Sequence, residues 1–547
     1  MSEIDDLIQR WSRLNGEKSV WHSHWEDLAR VMLPRRMGFM STTIEGERRT
    51  DDIFDGTPMQ AARGLANAVG GFMRPNGLPS FYVVADDDDL NNLEEVKAWL
   101  ADSKTRLIDA FNNPKARYRQ VSAEIDQDLV VFGTAVEFVG ESIQRSHLLF
   151  QSLHLKDVTP FFDEDGRTEG LFHKRSRSLR QLAGRFGEQS LSESSRRAIK
   201  DHPDKKVDVL HCVVPRKEYK HGAMLAKNMP IADMWIEIDA KHPLAESGFH
   251  EFPFIVPRWE TSSGENFGRS PGMIALPDAD TLQAMGETIL IAGQRAADPP
   301  LFAPNDGAFD ALNTFPGGIS YYDVESAKAM GGNPFYPLES GVNLPLSRDM
   351  QQDTRQQIFS AFFRNVLNLP VEGPKMTATE VLQRKEEFMR EIGPMFGRYE
   401  AEKTAPEVER AFMLMLRAGS LAPIPEVLQG RNIGFEYDSP VKRARQQVEA
   451  AAAKMWAMEM IEIGQVKPEA IDLVNIDALG RLSAEALSLP KQLVNSVEMV
   501  EAIREDRAKQ MAAQAQMESI AAAAQIAKTG AEAADKAGLT EKSQRAA

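Results

Sequence analysis

The segment Lys375-Met376-Thr377-Ala378-Thr379-Glu380-Val381 opens the longest helical pattern in the chain. Thr377 and Glu380 have the spacing of a capping box, and Met376 and Val381 that of a hydrophobic staple. The pattern runs to about Ala418, before Gly419. At 1.5 Å per residue a helix of that length spans ~60 Å. Gly393-Pro394 is expected to kink it. Such a helix needs packing along much of its length, which favours an elongated subunit in an assembly.

Working outward, Pro345 closes a stretch rich in Gly, Pro and aromatic residues, and a helix follows to about Asn365. Its stripe is Leu346, Met350, Thr354, Ile358 and Phe362. Pro277 to Ala297 is helical, and Pro299-Pro300 stops it. Near the start, Trp11, Leu14, Trp21, Trp25, Leu28 and Val31 predict one helix over 1–33. Thr57-Pro58-Met59-Gln60 predicts a capped helix ending at Gly70-Gly71. Phe81 to Val84 reads as a strand, 91–112 and 118–131 as helices, and 132–173 as short strands with a tight Asp165-Gly166 turn. A helix over 179–186 stops at Gly187, and 207–215 forms an apolar strand that buries Cys212. After 433–437, a strand, further helices fill 441–463 and 468–487. The Ala-rich tail from about 494 either packs against copies of itself or frays. The fold class is α+β, mainly helical.

The chain has 547 residues, 42% hydrophobic and 26% charged, which fits a folded protein of several structural units. A net charge of −16 disfavours tight binding of nucleic acid, which needs clustered Lys and Arg. The single cysteine excludes intrachain disulfides and cysteine-based metal centres. The first ten residues carry Glu3, Asp5 and Asp6 and lack the basic and apolar regions of a leader, so a cytosolic chain is expected. No apolar run is long enough to span a bilayer; Leu129 to Val139 comes closest and contains Glu137.

Motifs for chemistry are missing: no P-loop, no G-x-G-x-x-G after a strand, no G-x-S-x-G and no H-E-x-x-H. His22 and His24 lie two apart on a helix and diverge, and the run Asp86 to Asp89 reads as a solvated loop rather than a cation site. Neither an enzyme nor a cofactor is expected. The basic stretch 174–220 has two readings: a patch for nucleic acid or an acidic partner, or a solvated face, since Glu188, Glu193, Asp201 and Asp204 lie among the bases.

Five blocks, in order, resemble the head-to-tail connecting, or portal, proteins of short-tailed bacteriophages. They are Trp25 to Arg30 with Pro34, Ile53 to Thr57 and Ala61 to Ala66; Gly264 to Pro271 with Asp280 and Leu282; Ala297 to Leu301; Lys375 to Val381; and Tyr437 to Ala444. The resemblance implies a ring of about twelve subunits at one capsid vertex, around a channel for double-stranded DNA. It implies a wing over 1–275, stem helices over 276–298 and 346–367, a clip over 299–345 and a tunnel loop over 368–376. The long wing helix would cover 377–429, the crown 430–493 and a C-terminal helical barrel or tail 494–547. Partners implied are the major capsid protein and scaffold, the terminase during packaging and a tail adaptor at the clip, with assembly in the host cytoplasm and no membrane. Arg355, Arg364 and Lys375 are the cations placed near the channel axis. For each, a salt bridge between neighbouring subunits is the other reading. A sparse set of cations on an acidic wall lets DNA slide, because each neutralised phosphate adds affinity. Two other functions compete: a DNA-processing enzyme such as a nuclease, which would need a carboxylate metal cluster, and a capsid scaffold or adaptor without a channel.

Overall fold

A computed structural model describes residues 3–544, apart from 43, 88, 143–145, 220–224, 306–314, 324–335, 338–343, 365–392, 439, 465–466, 487–493 and 496. Two units are defined, Met1–Val441 and Lys442–Ala547.

The first unit begins with two helices rather than one, α1 (Glu3–Glu17) and α2 (Ser19–Met32). The break falls at Lys18, whose side chain is buried. Its Nζ donates to the carbonyls of Val158 at 2.6 Å and Leu155 at 3.0 Å. Those bonds hold the ammonium group inside the protein, where burial pushes its pKa down to about 7. Helix α3 (Thr57–Met73) runs past Gly70-Gly71, ending on the Gly70 carbonyl rather than at the glycines. Gly70 is where Asp126 and Arg74 come closest, so the small residue serves packing, not termination. Helices α4 (Glu94–Asn112) and α5 (Tyr118–Phe132) follow.

The strands divide among four sheets. β1 (Phe81–Ala85) pairs antiparallel with β13 (Ile433–Tyr437), far away in sequence. β2 (Val136–Glu141) lies between β3 (Leu148–Leu153) and β9 (Phe254–Ile255). The largest sheet is an antiparallel meander of β4 (Val158–Phe162), β5 (Thr168–Ser178), β6 (Lys206–Pro215), β7 (Ile231–Glu237) and β8 (His242–Phe249). The β4–β5 turn is the expected Asp165-Gly166 hairpin, with Gly166 at φ +75.

Side-chain alternation gives this sheet two buried faces. Phe172, Leu210, Cys212 and Met234 face α1, which contributes Ile4, Leu7, Ile8, Trp11 and Leu14. Cys212 is buried as expected, and burial raises its thiol pKa. Val209 and Trp235 face α6 (Leu179–Phe186) and the segment leading to α7 (Glu193–Asp201). Ser178 and Gln181 form a full capping box on α6.

Helix α8 (Pro271–Ala297) starts six residues before Pro277, because Ser270 accepts from the Met273 N–H and Pro271 occupies the first turn. Pro277 is accommodated inside the helix. β10 (Leu301–Asn305) pairs with β11 (Ile319–Asp323) and β12 (Tyr336–Pro337). Helix α9 (Leu344–Ala361) packs on α8. Of the long helical pattern, 377–392, with its capping box at Thr377 and Glu380 and the staple at Met376 and Val381, lies outside the described residues. Residues 393–399 are helical, a π turn covers Glu400–Thr404, and α10 (Ala405–Arg417) continues to Gly419, at φ +67. Pro406 has no N–H to donate to the Glu402 carbonyl, and the backbone widens there.

Strand β13 belongs to the first unit through β1. The second unit takes in most of α11 (Pro440–Gly464), then α12 (Ile476–Ala486) and α13 (Val497–Gln544). Arg504 grips Asp477 with two bonds of 2.6 Å. The tail is a continuous helix of 48 residues.

His154 yields a pH-dependent prediction. Its Nε2–H donates to the Arg36 carbonyl at 2.9 Å, and its Nδ1 accepts from the Lys156 N–H at 3.1 Å. Only the neutral ring satisfies both bonds. Burial, then Arg36, pushes its pKa down to about 4. Between pH 6.5 and 4 the unfolded chain binds a proton here that the folded chain does not, so stability falls as pH drops. At ~1.4 kcal/mol per unit the loss is about 3 kcal/mol. The unfolding midpoint of His154→Gln should therefore decline less than wild type between pH 7 and pH 4.5; equal declines would refute this.

Candidate functional site: the frame joining the paired helices to the core

The first and second blocks singled out in the sequence meet in space, and the fourth, Lys375 to Val381, lies outside the described residues. Trp25 is wholly buried; its Nε1–H donates to the Phe132 carbonyl at 3.2 Å, and Phe267 meets its ring edge-on at 5.2 Å. Thus the first block touches the second. Gly268, also in the second block, lies against Gly133, which has φ +75; a Cβ on either would overlap the other's carbonyl. Arg30 pairs with Asp280 on α8 at 2.8 Å. Tyr437, at the head of the fifth block, donates its hydroxyl to the Ala405 carbonyl at 3.3 Å.

The tightest junction is at Asp55. Gln283 on α8 accepts from the N–H groups of Phe54 at 2.8 Å and Asp55 at 3.0 Å, and donates to the Asp55 carbonyl at 2.7 Å. The Asp55 carboxylate accepts from the Thr57 N–H at 2.8 Å and from Arg355 Nε and Nη2 at 2.9 and 2.8 Å. One side chain therefore caps α3 and anchors α9, while Gln283 ties the same turn to α8. The cap expected from Thr57 and Gln60 is supplied instead by Asp55, because Gly56 already accepts the first helical bond, from the Gln60 N–H. These bonds hold the Asp55 carboxyl below its usual range despite burial.

Of the cations expected near a channel, Arg355 is bound to Asp55 of its own chain, with its side chain 37% exposed. Arg364 lies over the Phe359 ring at 4.5 Å. Lys375 and the loop 368–376 lie outside the described residues. Sequence reasoning missed Asp55 as a partner of Arg355, because 300 residues separate them; the Ile53 to Thr57 block was the available signal.

Asp55→Ala should lower stability by about 2 kcal/mol, from the lost cap and the unpaired Arg355. Urea unfolding of Asp55→Ala and of the double variant Asp55→Ala/Arg355→Met checks this: the double variant should recover part of the loss.

A second buried centre lies between α5, β2 and α10. Lys403 Nζ is 3.1 Å from Glu407 and 3.2 Å from Glu137, all three wholly buried. Glu137 contributes charge alone, since its oxygens accept no hydrogen bond among the described residues. Beside it Arg74 binds Asp126 and Tyr399, and Tyr399 donates to Asp126 at 2.8 Å. Burial pushes the Glu407 carboxyl up, and the two carboxylates hold Lys403 charged. Glu137 is the charge that interrupted the apolar run at 129–139. No three His, Cys, Asp or Glu side chains cluster as metal ligands among the described residues, and no described helix is long and apolar enough to cross a membrane.

A family model described as bacteriophage head to tail connecting protein matches residues 4–494, which makes the chain a structural component of a phage particle rather than an enzyme. The chain belongs to that family. It is 29% identical over 539 residues to the portal protein of Salmonella phage epsilon15, covering 96% of this chain and 95% of the relative. It is also 29% identical over 547 residues to the probable portal protein of Bordetella phage BPP-1, covering 98% and 96%. Among solved structures, a chain from the virion of a native gene transfer agent particle aligns at TM-score 0.36 and 11% identity, covering 81% of this chain and 95% of that one. A chain from the neck of an empty gene transfer agent particle, computed with C6 symmetry, aligns at 0.37 and 11%, covering 76% and 93%. Both structural likenesses are too slight to bear on the details of the fold.

Proposed function

We propose that copies of this chain close into a ring of about twelve at one capsid vertex, forming the channel through which double-stranded DNA is packaged and ejected and the attachment point of the tail. The observation that carries this is the family match across 4–494, in a chain whose first block meets α8 and α9 through Asp55, Gln283 and Arg355. On this reading α8 and α9 are the stem helices, 299–345 is the clip that meets a tail adaptor, and 368–376 is the tunnel loop. The wing comprises 1–275 and 377–429, the crown 430–493, and the helix at 497–544 contributes to a barrel. Arg355, Arg364 and Lys375 meet the DNA, Arg355 while remaining paired with Asp55. The terminase, major capsid protein and scaffold are the further partners, and assembly takes place in the host cytoplasm. The −16 charge suits a wall along which DNA slides without adhering. Negative-stain images of purified protein test this: rings with a central hole wide enough for a duplex are expected, and only monomers or closed particles across conditions would sink it.

A further inference from the structure

Two groups of bases stand out in the stretch 174–220. Several bases find acids within the chain: Lys174 with Asp208 at 2.8 Å, Arg180 with Asp204 at 3.3 Å, Arg216 with Glu246 at 2.8 Å, and Arg197 with Glu193. These form the solvated face that the interspersed charges suggested. Arg175, Arg177 and Arg185 behave differently. None has a carboxylate within ion-pair distance among the described residues. Arg175 and Arg177 sit two apart on β5 and so share a face of the sheet, and Arg185 on α6 packs over that same face.

Trp235 of β7 organises the group. The Arg185 guanidinium lies 4.2 Å from its ring centroid and that of Arg175 5.6 Å. His211 stacks on Trp235 at 4.1 Å, nearly parallel, and is fixed by Asp233 at 2.7 Å. Arg175 Nε donates to His173 Nδ1 at 3.2 Å, which sets its plane. An aromatic-backed guanidinium keeps its N–H edge free for a planar oxyanion. Burial, then Arg177 and Arg185, pushes the Arg175 pKa down to about 10, with Asp157 opposing, and Asp233 acts likewise on Arg185.

We propose that Arg175, Arg177 and Arg185, backed by Trp235, form a docking site for a carboxylate-rich segment of a polypeptide partner. Charge complementarity and size select that occupant. The trio is compact, confined to one face of the sheet and the helix over it, in a chain whose net charge of −16 disfavours extended contact with nucleic acid. A duplex carries a charge every ~1.7 Å and would need a longer run of cations than this trio supplies. Isolated glutamate or aspartate side chains would not.

The test uses full-length protein and a labelled deca-glutamate peptide, followed by fluorescence anisotropy. Saturable binding is expected, weakened at least tenfold in Arg177→Gln/Arg185→Gln; both residues are exposed, so the fold should survive, as far-UV circular dichroism would check. Arg180→Gln, which changes charge nearby but sits outside the trio, should bind as wild type does. Peptide affinity unchanged in the double variant, or an equal loss in Arg180→Gln, would overturn the proposal. So would a short DNA duplex that binds more tightly than the peptide through the same arginines, or an absence of saturable peptide binding.

Discussion

Lys403→Met should be among the most damaging single substitutions in the chain. It removes the cation between Glu137 and Glu407 and leaves two carboxylates facing each other in a dry core. Breaking a buried ion pair on one side costs ~3–5 kcal/mol, because the stranded charge has neither water nor partner. In urea this corresponds to a midpoint lowered by about 1 M or more, given slopes of ~1–3 kcal/mol per M. The loss has a pH signature that simple loss of packing lacks. Burial already holds the Glu407 carboxyl above its usual range, so with the cation gone the folded chain binds the extra proton there, and the deficit should shrink as pH falls from 8 towards 5. A triple variant, Glu137→Leu/Lys403→Met/Glu407→Leu, should regain most of the stability, since apolar replacement of a whole buried ionic group is often neutral. A pH-independent loss, or a triple variant as weak as the single, would contradict this account.

Trp25→Ala should have a comparable effect through a different cause. It empties the contact that joins the first and second sequence blocks, where Trp25 touches Phe39 and Phe267 and donates to Phe132. A large aromatic removed from a core costs ~3–5 kcal/mol, and the orphaned Phe132 carbonyl adds about 1–3 kcal/mol. Trp25→Phe keeps most of the ring and loses only the donor, so it should fall between wild type and Trp25→Ala. Thermal unfolding followed by near-ultraviolet circular dichroism ranks the three; equal midpoints for Trp25→Ala and wild type would show that the contact holds nothing together.

What could be read in advance follows the range of the forces involved. The Asp165-Gly166 turn, the stop of α6 at Gly187 and the strand at 81 are set by neighbours a few residues away, and sequence periodicity reports such neighbours. The partner of that strand, at 433–437, lies more than 340 residues downstream, and nothing local announces it. The same limit hid Asp55 from Arg355 and Lys403 from Glu137. Lys18 shows a second kind of failure. Its charge suggests a solvent-facing residue in mid-helix, yet the carbonyls of Leu155, Lys156 and Val158 satisfy it indoors and the helix breaks there. The five blocks were legible as blocks, whereas the contact of the first with the second required the fold.

The π turn at Glu400–Thr404 has one more consequence, best stated as an angle. An α-helix advances ~100° per residue, and a single widened turn takes in one extra residue. Everything from Ala405 to Arg417 is therefore rotated by about 100° relative to a regular continuation of 393–399. Straightening that turn would swing Val408, Ala411, Phe412 and Met415, now buried, away from the surfaces they cover, and carry exposed positions such as Met413 inward. The turn works as a phase shifter: the apolar stripe before it and the apolar stripe after it meet the same core only because the helix slips one residue between them.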